Sequence, residues 1–132
     1  MKKLHFASIG AVVLSLSAVC NNTLASDYPL RLETDLVSVC RLAAENDRVG
    51  LHQAVQKITP GHRAMGPTYK MLGEGLLCNG KQVTTFARQF GATDTVKAFQ
   101  RYNPATPVIE IRDLEVSQHI PSDIYVSFAL GK

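Results

Sequence analysis

Cys78 sits at the centre of Gly75-Leu-Leu-Cys-Asn-Gly-Lys-Gln82, and it constrains this chain more than any other residue. An apolar pair leads into it. Asn79-Gly80, directly after it, is the strongest short turn signal a sequence carries, and a helical pattern begins just beyond. The chain has three cysteines. Cys20 falls in an N-terminal stretch with the marks of a secretory signal, which leaves Cys40 as the partner for Cys78. Cys40 lies inside an earlier helical pattern, so a bond between the two would join the halves of a small helical domain. In an oxidising compartment, an even pair of cysteines in a small exported domain is most simply a disulfide.

The signal reading rests on the first 25 residues. Lys2 and Lys3 form a positive start, Phe6 to Val19 is a run of apolar and small residues, and Thr23-Leu24-Ala25 offers small residues where a signal peptidase reads. The run is too short for a membrane-spanning helix. Residues 1–25 are thus expected to be removed, leaving a single domain over 26–132, periplasmic or secreted. Lipidation at Cys20 is the competing reading and would place the product on a membrane. Against it, Val19 is bulky at a position where lipoprotein signals take a small residue.

Along 26–132, residues 26–33 carry Pro29 and no clear period. Thr34 or Asp35 is then placed to cap a helix whose apolar residues Leu36, Val37, Val39, Cys40, Ala43 and Ala44 recur at offsets of three and four. Asn46-Asp47 breaks it and caps a second helix with Leu51, Ala54, Val55 and Ile58, stopped at Thr59-Pro60-Gly61. The Gly-rich stretch 60–75 predicts one short helical turn near Thr68–Leu72. A third helix is expected from Lys81 or Gln82 to Phe90, with Gly91 as its left-handed stop. A fourth is expected from Thr93 or Asp94 through Tyr102, closed by Asn103-Pro104. From Pro107 the period changes to two, and the runs around Val108–Val116 and Ile124–Leu130 suggest a β-hairpin over 107–130. Such a ribbon is marginal alone and should pack on the helices. The fold expected is α+β: about four short helices in two antiparallel pairs over 34–103, then a C-terminal hairpin.

The helical pairs can be laid over each other, matching Leu42 with Phe86, Ala43 with Ala87, Asp47 with Gly91 and Val55 with Phe99. Each pair weakly resembles the helix–turn–helix half of an ankyrin repeat, although the period is too long and no Thr-Pro-Leu-His segment is present. A second resemblance covers residues 36–102. Cys40 with Ala43-Ala44, then Leu76-Leu77-Cys78-Asn79-Gly80, Phe86-Ala87 and Gly91-Ala92, is similar to a family of small exported bacterial proteins known only as a domain of unknown function. That resemblance implies a fold and a compartment and no activity.

Motifs for chemistry are sparse. His52, His62 and His119 show no ligand spacing with another His, Cys or acid, so no metal site and no cofactor are expected. There is no Gly-x-Ser-x-Gly elbow and no Cys-x-x-Cys. Charge is the surface feature with shape. Arg48, Lys57, Arg63, Lys70, Lys81, Arg88, Lys97 and Arg101 stand against only Glu74 and Asp94 in 48–101, a positive body between acidic ends. Such a face either is a set of ordinary solvated helix surfaces, with the acidic ends folding back over the basic middle, or suits an anionic envelope component or an acidic protein. Nucleic acid is not expected of an exported chain without aromatics interleaved among its basic residues. The reading is a non-catalytic binding or interaction module. The rival is a small hydrolase with its site in the Gly-rich segment 60–75.

Overall fold

The computed structural model describes residues 29–104 and 116–129. The expected signal peptide, Cys20 and the first limb of the expected hairpin, up to Glu115, lie outside the described residues.

The first helix, α1, runs Leu30–Ala44 and buries Leu36, Val39, Cys40, Ala43 and Ala44. It begins four residues before the expected cap. The Thr34 hydroxyl is spent on the carbonyl of Leu30 (2.8 Å), and Ser38 repeats the pattern on Thr34 (2.9 Å), so Thr34 acts inside a helix already under way. Pro29 takes the cap position instead.

At the other end of α1, Asn46 adopts φ 59°, the Asn46 amide donates to Ala43 (3.4 Å), and the Asp47 amide donates to Leu42 (3.1 Å). That pair of bonds is a Schellman stop. Asp47 then caps α2 (Arg48–Ile58) as expected, its Oδ1 accepting from the Gly50 amide at 2.9 Å.

Helix α3 spans Gly66–Gly75, a full helix where a single turn was expected. Its glycines are poor helix formers, and tertiary packing overrides that local preference. Pro67 is suited to the first turn. Gly73 faces the buried Asn103 amide, and a side chain there would collide with it. The strand β1 (Leu76–Cys78) follows, then Asn79-Gly80 with φ 48° and 76°, then β2 (Lys81–Gln82). Cys78 stands opposite Lys81, so the loop is a two-residue turn with both residues left-handed, as the Asn-Gly pair predicts.

Helices α4 (Val83–Gln89) and α5 (Thr93–Gln100) make the second pair. Gly91 (φ 72°) joins them by the same stop, with Ala92 donating to Ala87 (3.1 Å) and Gly91 to Arg88 (2.9 Å). Glycine adopts that φ without steric cost. The stops equate Asn46 with Gly91, one residue out of the register read from sequence.

Neither Thr93 nor Asp94 caps α5. Ala92 occupies the cap position, and the cap comes from across the fold. Asn46 Oδ1 accepts from the amides of Asp94 (2.8 Å) and Thr95 (3.2 Å), while buried Thr95 Oγ1 donates to the Ala43 carbonyl (2.6 Å). One asparagine therefore stops α1 and starts α5.

The C-terminal run differs from expectation. Within the described residues it forms one strand, β3 (Val126–Phe128), which pairs antiparallel with β1, giving the sheet order β2-β1-β3. Leu76 faces Phe128, Leu77 faces Ser127 and Cys78 faces Val126. β1 is buried and β2 satisfies only one of its edges, so β3 supplies the remaining hydrogen bonds. Asn79 extends the clamp: its Oδ1 accepts from the Tyr125 amide and its own amide donates to the Tyr125 carbonyl, both at 2.9 Å. Ile124 and Val126 join the core, and Arg41 of α1 donates to the Ser122 carbonyl at 2.8 Å. The architecture is thus α+β, with five helices and a three-stranded antiparallel sheet among the described residues.

Cys40 and Cys78 are bonded, both fully buried, 38 residues apart in sequence. Closing a loop of that length stabilises by roughly 3–4 kcal/mol in the chain-entropy view. Urea unfolding of the reduced protein should show a loss of about that size, and coincident midpoints with and without reductant would contradict it. A second expectation concerns Asn46. Asn46→Gly keeps the left-handed stop and loses the cross-cap, so it should cost about 1 kcal/mol. Asn46→Ala should cost about 1–2 kcal/mol more, because alanine strains at that φ. Equal urea midpoints for the two variants would show that backbone conformation at 46 does not matter.

A candidate anion-binding cleft

Helix α2 turns Leu51, Ala54 and Val55 into the core, which leaves Arg48, His52 and Gln56 on an outward stripe at spacing four. That stripe forms one wall of a cleft of about 640 Å³. The other wall is the end of α5, with Ala98, Arg101 and Tyr102, and the floor is Tyr69 of α3.

Tyr69 is 3% exposed. Its ring lies near-parallel to Tyr102 (centroids 5.1 Å, 21°) and to His52 (6.2 Å, 21°), and Phe99 meets it edge-on at 5.4 Å. The Tyr69 carbonyl accepts from Asn103 Nδ2 at 3.3 Å, which fixes the backbone that carries the ring.

The hydroxyl is less well served. Its hydrogen-bond contact is His52 Nδ1 at 3.5 Å, the long limit for such a bond. Gln56 Nε2 stands 3.4 Å from His52 Nε2. With Gln56 donating there, the imidazole proton sits on Nδ1 and faces the tyrosine oxygen, leaving the phenolic hydrogen to point elsewhere. Burial pushes the Tyr69 hydroxyl above its ordinary pKa of 10.0. The neighbouring Tyr102 pushes the same way, and the Arg48 guanidinium opposes both. Tyr69 therefore stays a donor at neutral pH.

Arg48 and Arg101 also line a smaller adjoining cavity of about 230 Å³ with Lys97 and Asp94. Asp94 accepts from Asn46 Nδ2 at 3.2 Å. Among the described residues neither arginine pairs with a carboxylate, and Arg101 lies 5.9 Å from the Tyr102 ring centroid. The cleft thus combines unpaired positive charge, a buried hydroxyl donor and an apolar aromatic floor.

Of the eight basic residues singled out from the sequence, Arg48, Lys97 and Arg101 come together here. Lys57 lines a separate cleft of about 780 Å³ with Arg31 and Asp35. Arg63 and Lys70 are exposed on the loop before α3 and on α3 itself, Arg88 lies on α4, and Lys81 Nζ donates to Gln89 at 2.9 Å. In the Gly-rich segment, His62 is exposed, and no hydrogen bond joins it to an acid among the described residues. Both candidate thiols are consumed by the disulfide, and no group of three metal-ligating side chains occurs among the described residues. His52, Tyr69 and Tyr102 were not legible as site residues. The four-residue stripe on α2 was a visible signal, whereas the burial of Tyr69 had none.

Compared with protein-family models, with curated proteins and with solved structures, the chain has no match in any of the three.

The raised Tyr69 pKa has a consequence for stability. Unfolded chains release this proton near pH 10.0, while the folded protein still holds it. Stability should therefore fall as pH rises above that value, up to the folded pKa. Tyr69→Phe should flatten this alkaline limb in a plot of thermal midpoint against pH, and an unchanged limb would assign it to other groups.

Proposed function

We propose that this chain is an exported, disulfide-stapled binding module without chemistry of its own, and that its ligand is an anion seated in the α2–α3–α5 cleft. The observation that carries the reading is the Tyr69 hydroxyl, buried with only a long contact, in a cleft with two guanidiniums that form no ion pair among the described residues. A buried donor left poorly bonded costs about 1–3 kcal/mol, and an anion bound there would relieve it together with the charge. The export half of the reading rests on Lys2, Lys3, the run Phe6–Val19 and Thr23-Leu24-Ala25. The Cys40–Cys78 bond supports it, and among the described residues no helix is long and apolar enough to cross a membrane. Membership of the family of exported proteins resembled in 36–102 belongs to the same proposal. The rival hydrolase needs His62 to meet an acid, and among the described residues no hydrogen bond or ion pair joins His62 to one.

Mass spectrometry of protein recovered from the periplasm should give a chain beginning at Ser26, and an acylated Cys20 would overturn the soluble form. For the binding, a thermal-shift panel of phosphate, citrate, succinate and sulfate should contain at least one anion that raises the midpoint. Arg48→Glu/Arg101→Glu should abolish that rise while its own ligand-free midpoint stays near wild type. A panel with no response would overturn the anion site.

A further inference from the structure

Resting on the reading of the cleft as an anion site, we infer that its ligand is a phosphate ester carrying an organic body. The donors approach from three elements: Arg48 from α2, Tyr69 from α3 and Arg101 from the end of α5. Each guanidinium is a planar fork that bonds two oxygens at once. Two forks and one hydroxyl offer five hydrogen bonds, whereas a carboxylate's two oxygens accept about four, all in one plane. A phosphoryl group presents its oxygens tetrahedrally, so forks from two different helices and a donor from the floor can each find one. The adjoining cavity holds both arginines, Lys97 and the Asp94 carboxylate, three cations against one anion, a balance that favours a group of more than one negative charge.

Size argues for the organic body. A cleft of about 640 Å³ lies in the usual range for small-molecule sites, roughly 300–1,000 Å³, and is far larger than a bare phosphate needs. Its rim is apolar beside the arginines: Val49 is 69% exposed there, and Ala98 lines the opposite wall. An ester with carbon next to the phosphoryl group would cover both. A soluble sugar or glycerol phosphate and a phospholipid headgroup share this chemistry.

Titration calorimetry of the full exported chain with glycerol 3-phosphate should show one site. Arg48→Gln and Arg101→Gln should each weaken it by about tenfold or more, and Tyr69→Phe by several-fold. Vesicles of phosphatidylcholine containing phosphatidic acid form the second arm. Binding to those vesicles without binding to glycerol 3-phosphate supports the ester and assigns it to a lipid, and the reverse supports it and assigns it to a soluble compound. Succinate or sulfate binding in the arginine-dependent manner, with neither phosphate probe bound, overturns this inference and leaves the anion reading standing. Wild-type affinity in both arginine variants also overturns it. No binding of any anion overturns both.

Discussion

The bond between Cys40 and Cys78 places the central strand of the sheet against the middle of the longest helix, and most of the remaining structure follows from that junction. Strands of three, two and three residues would not stand as a sheet in water. Here β1 is anchored covalently to α1 through Cys78, the same residue that pairs with Lys81 on one side and Val126 on the other. Leu76 and Cys78 are fully buried, so both edges of β1 must find hydrogen-bond partners. The nearby turn provides one edge, and a segment almost fifty residues downstream provides the other. The sheet is small because it has one task, to close the core over α1.

Two asparagines do for the helices and the C-terminus what the disulfide does for β1. Asn46 and Asn79 both take left-handed backbone conformations, which asparagine tolerates better than other side-chain-bearing residues. Each then uses its amide on a distant segment: Asn46 on the start of α5, Asn79 on Tyr125 and the Asp123 carbonyl. Glycine would make either turn. Asparagine makes the turn and a long-range tie together, so a chain this small gains tertiary order from residues needed locally in any case.

That double use explains what was legible. Helix stops, the Asp47 cap and the Asn-Gly turn are local signals, the cysteine pair follows from counting, and the structure carries each of them. The α1 start was misread for a local reason, the Thr34 bond to Leu30, while the other misreadings involve partners far away in sequence. The α5 cap was assigned to Thr93 or Asp94 because a distant asparagine leaves no mark there. Helix α3 was read as a single turn near Thr68–Leu72 because its glycines are read for backbone freedom, while Gly73 is used for close approach of Asn103. The strand 126–128 was visible, and its pairing with β1 was not. In the site, the α2 stripe was present in the spacing of Arg48, His52 and Gln56, yet its meaning depends on Tyr69 arriving from another helix.

The cleft inherits its geometry from the same ties. Arg48 begins two residues after Asn46, and Arg101 ends the helix whose first turn Asn46 caps. Their spacing is therefore set at one end by a single amide. At the other end, Asn103 Nδ2 donates to the carbonyls of Tyr69 and Phe99, which locks α3 to α5 beneath the aromatic floor. Its Oδ1 is buried with no hydrogen-bond partner among the described residues. An unsatisfied amide oxygen is costly. An apolar residue at 103 would avoid that cost and would also surrender the bond that positions Tyr69. Asn103 itself lies outside the cleft lining, which holds the long contact of the Tyr69 hydroxyl and two arginines that pair with no carboxylate among the described residues. Small domains have little stability to lose to such features. Poorly compensated polar groups at the cleft itself, the Tyr69 hydroxyl and the two arginines, are what a binding site built into an otherwise well-satisfied fold requires.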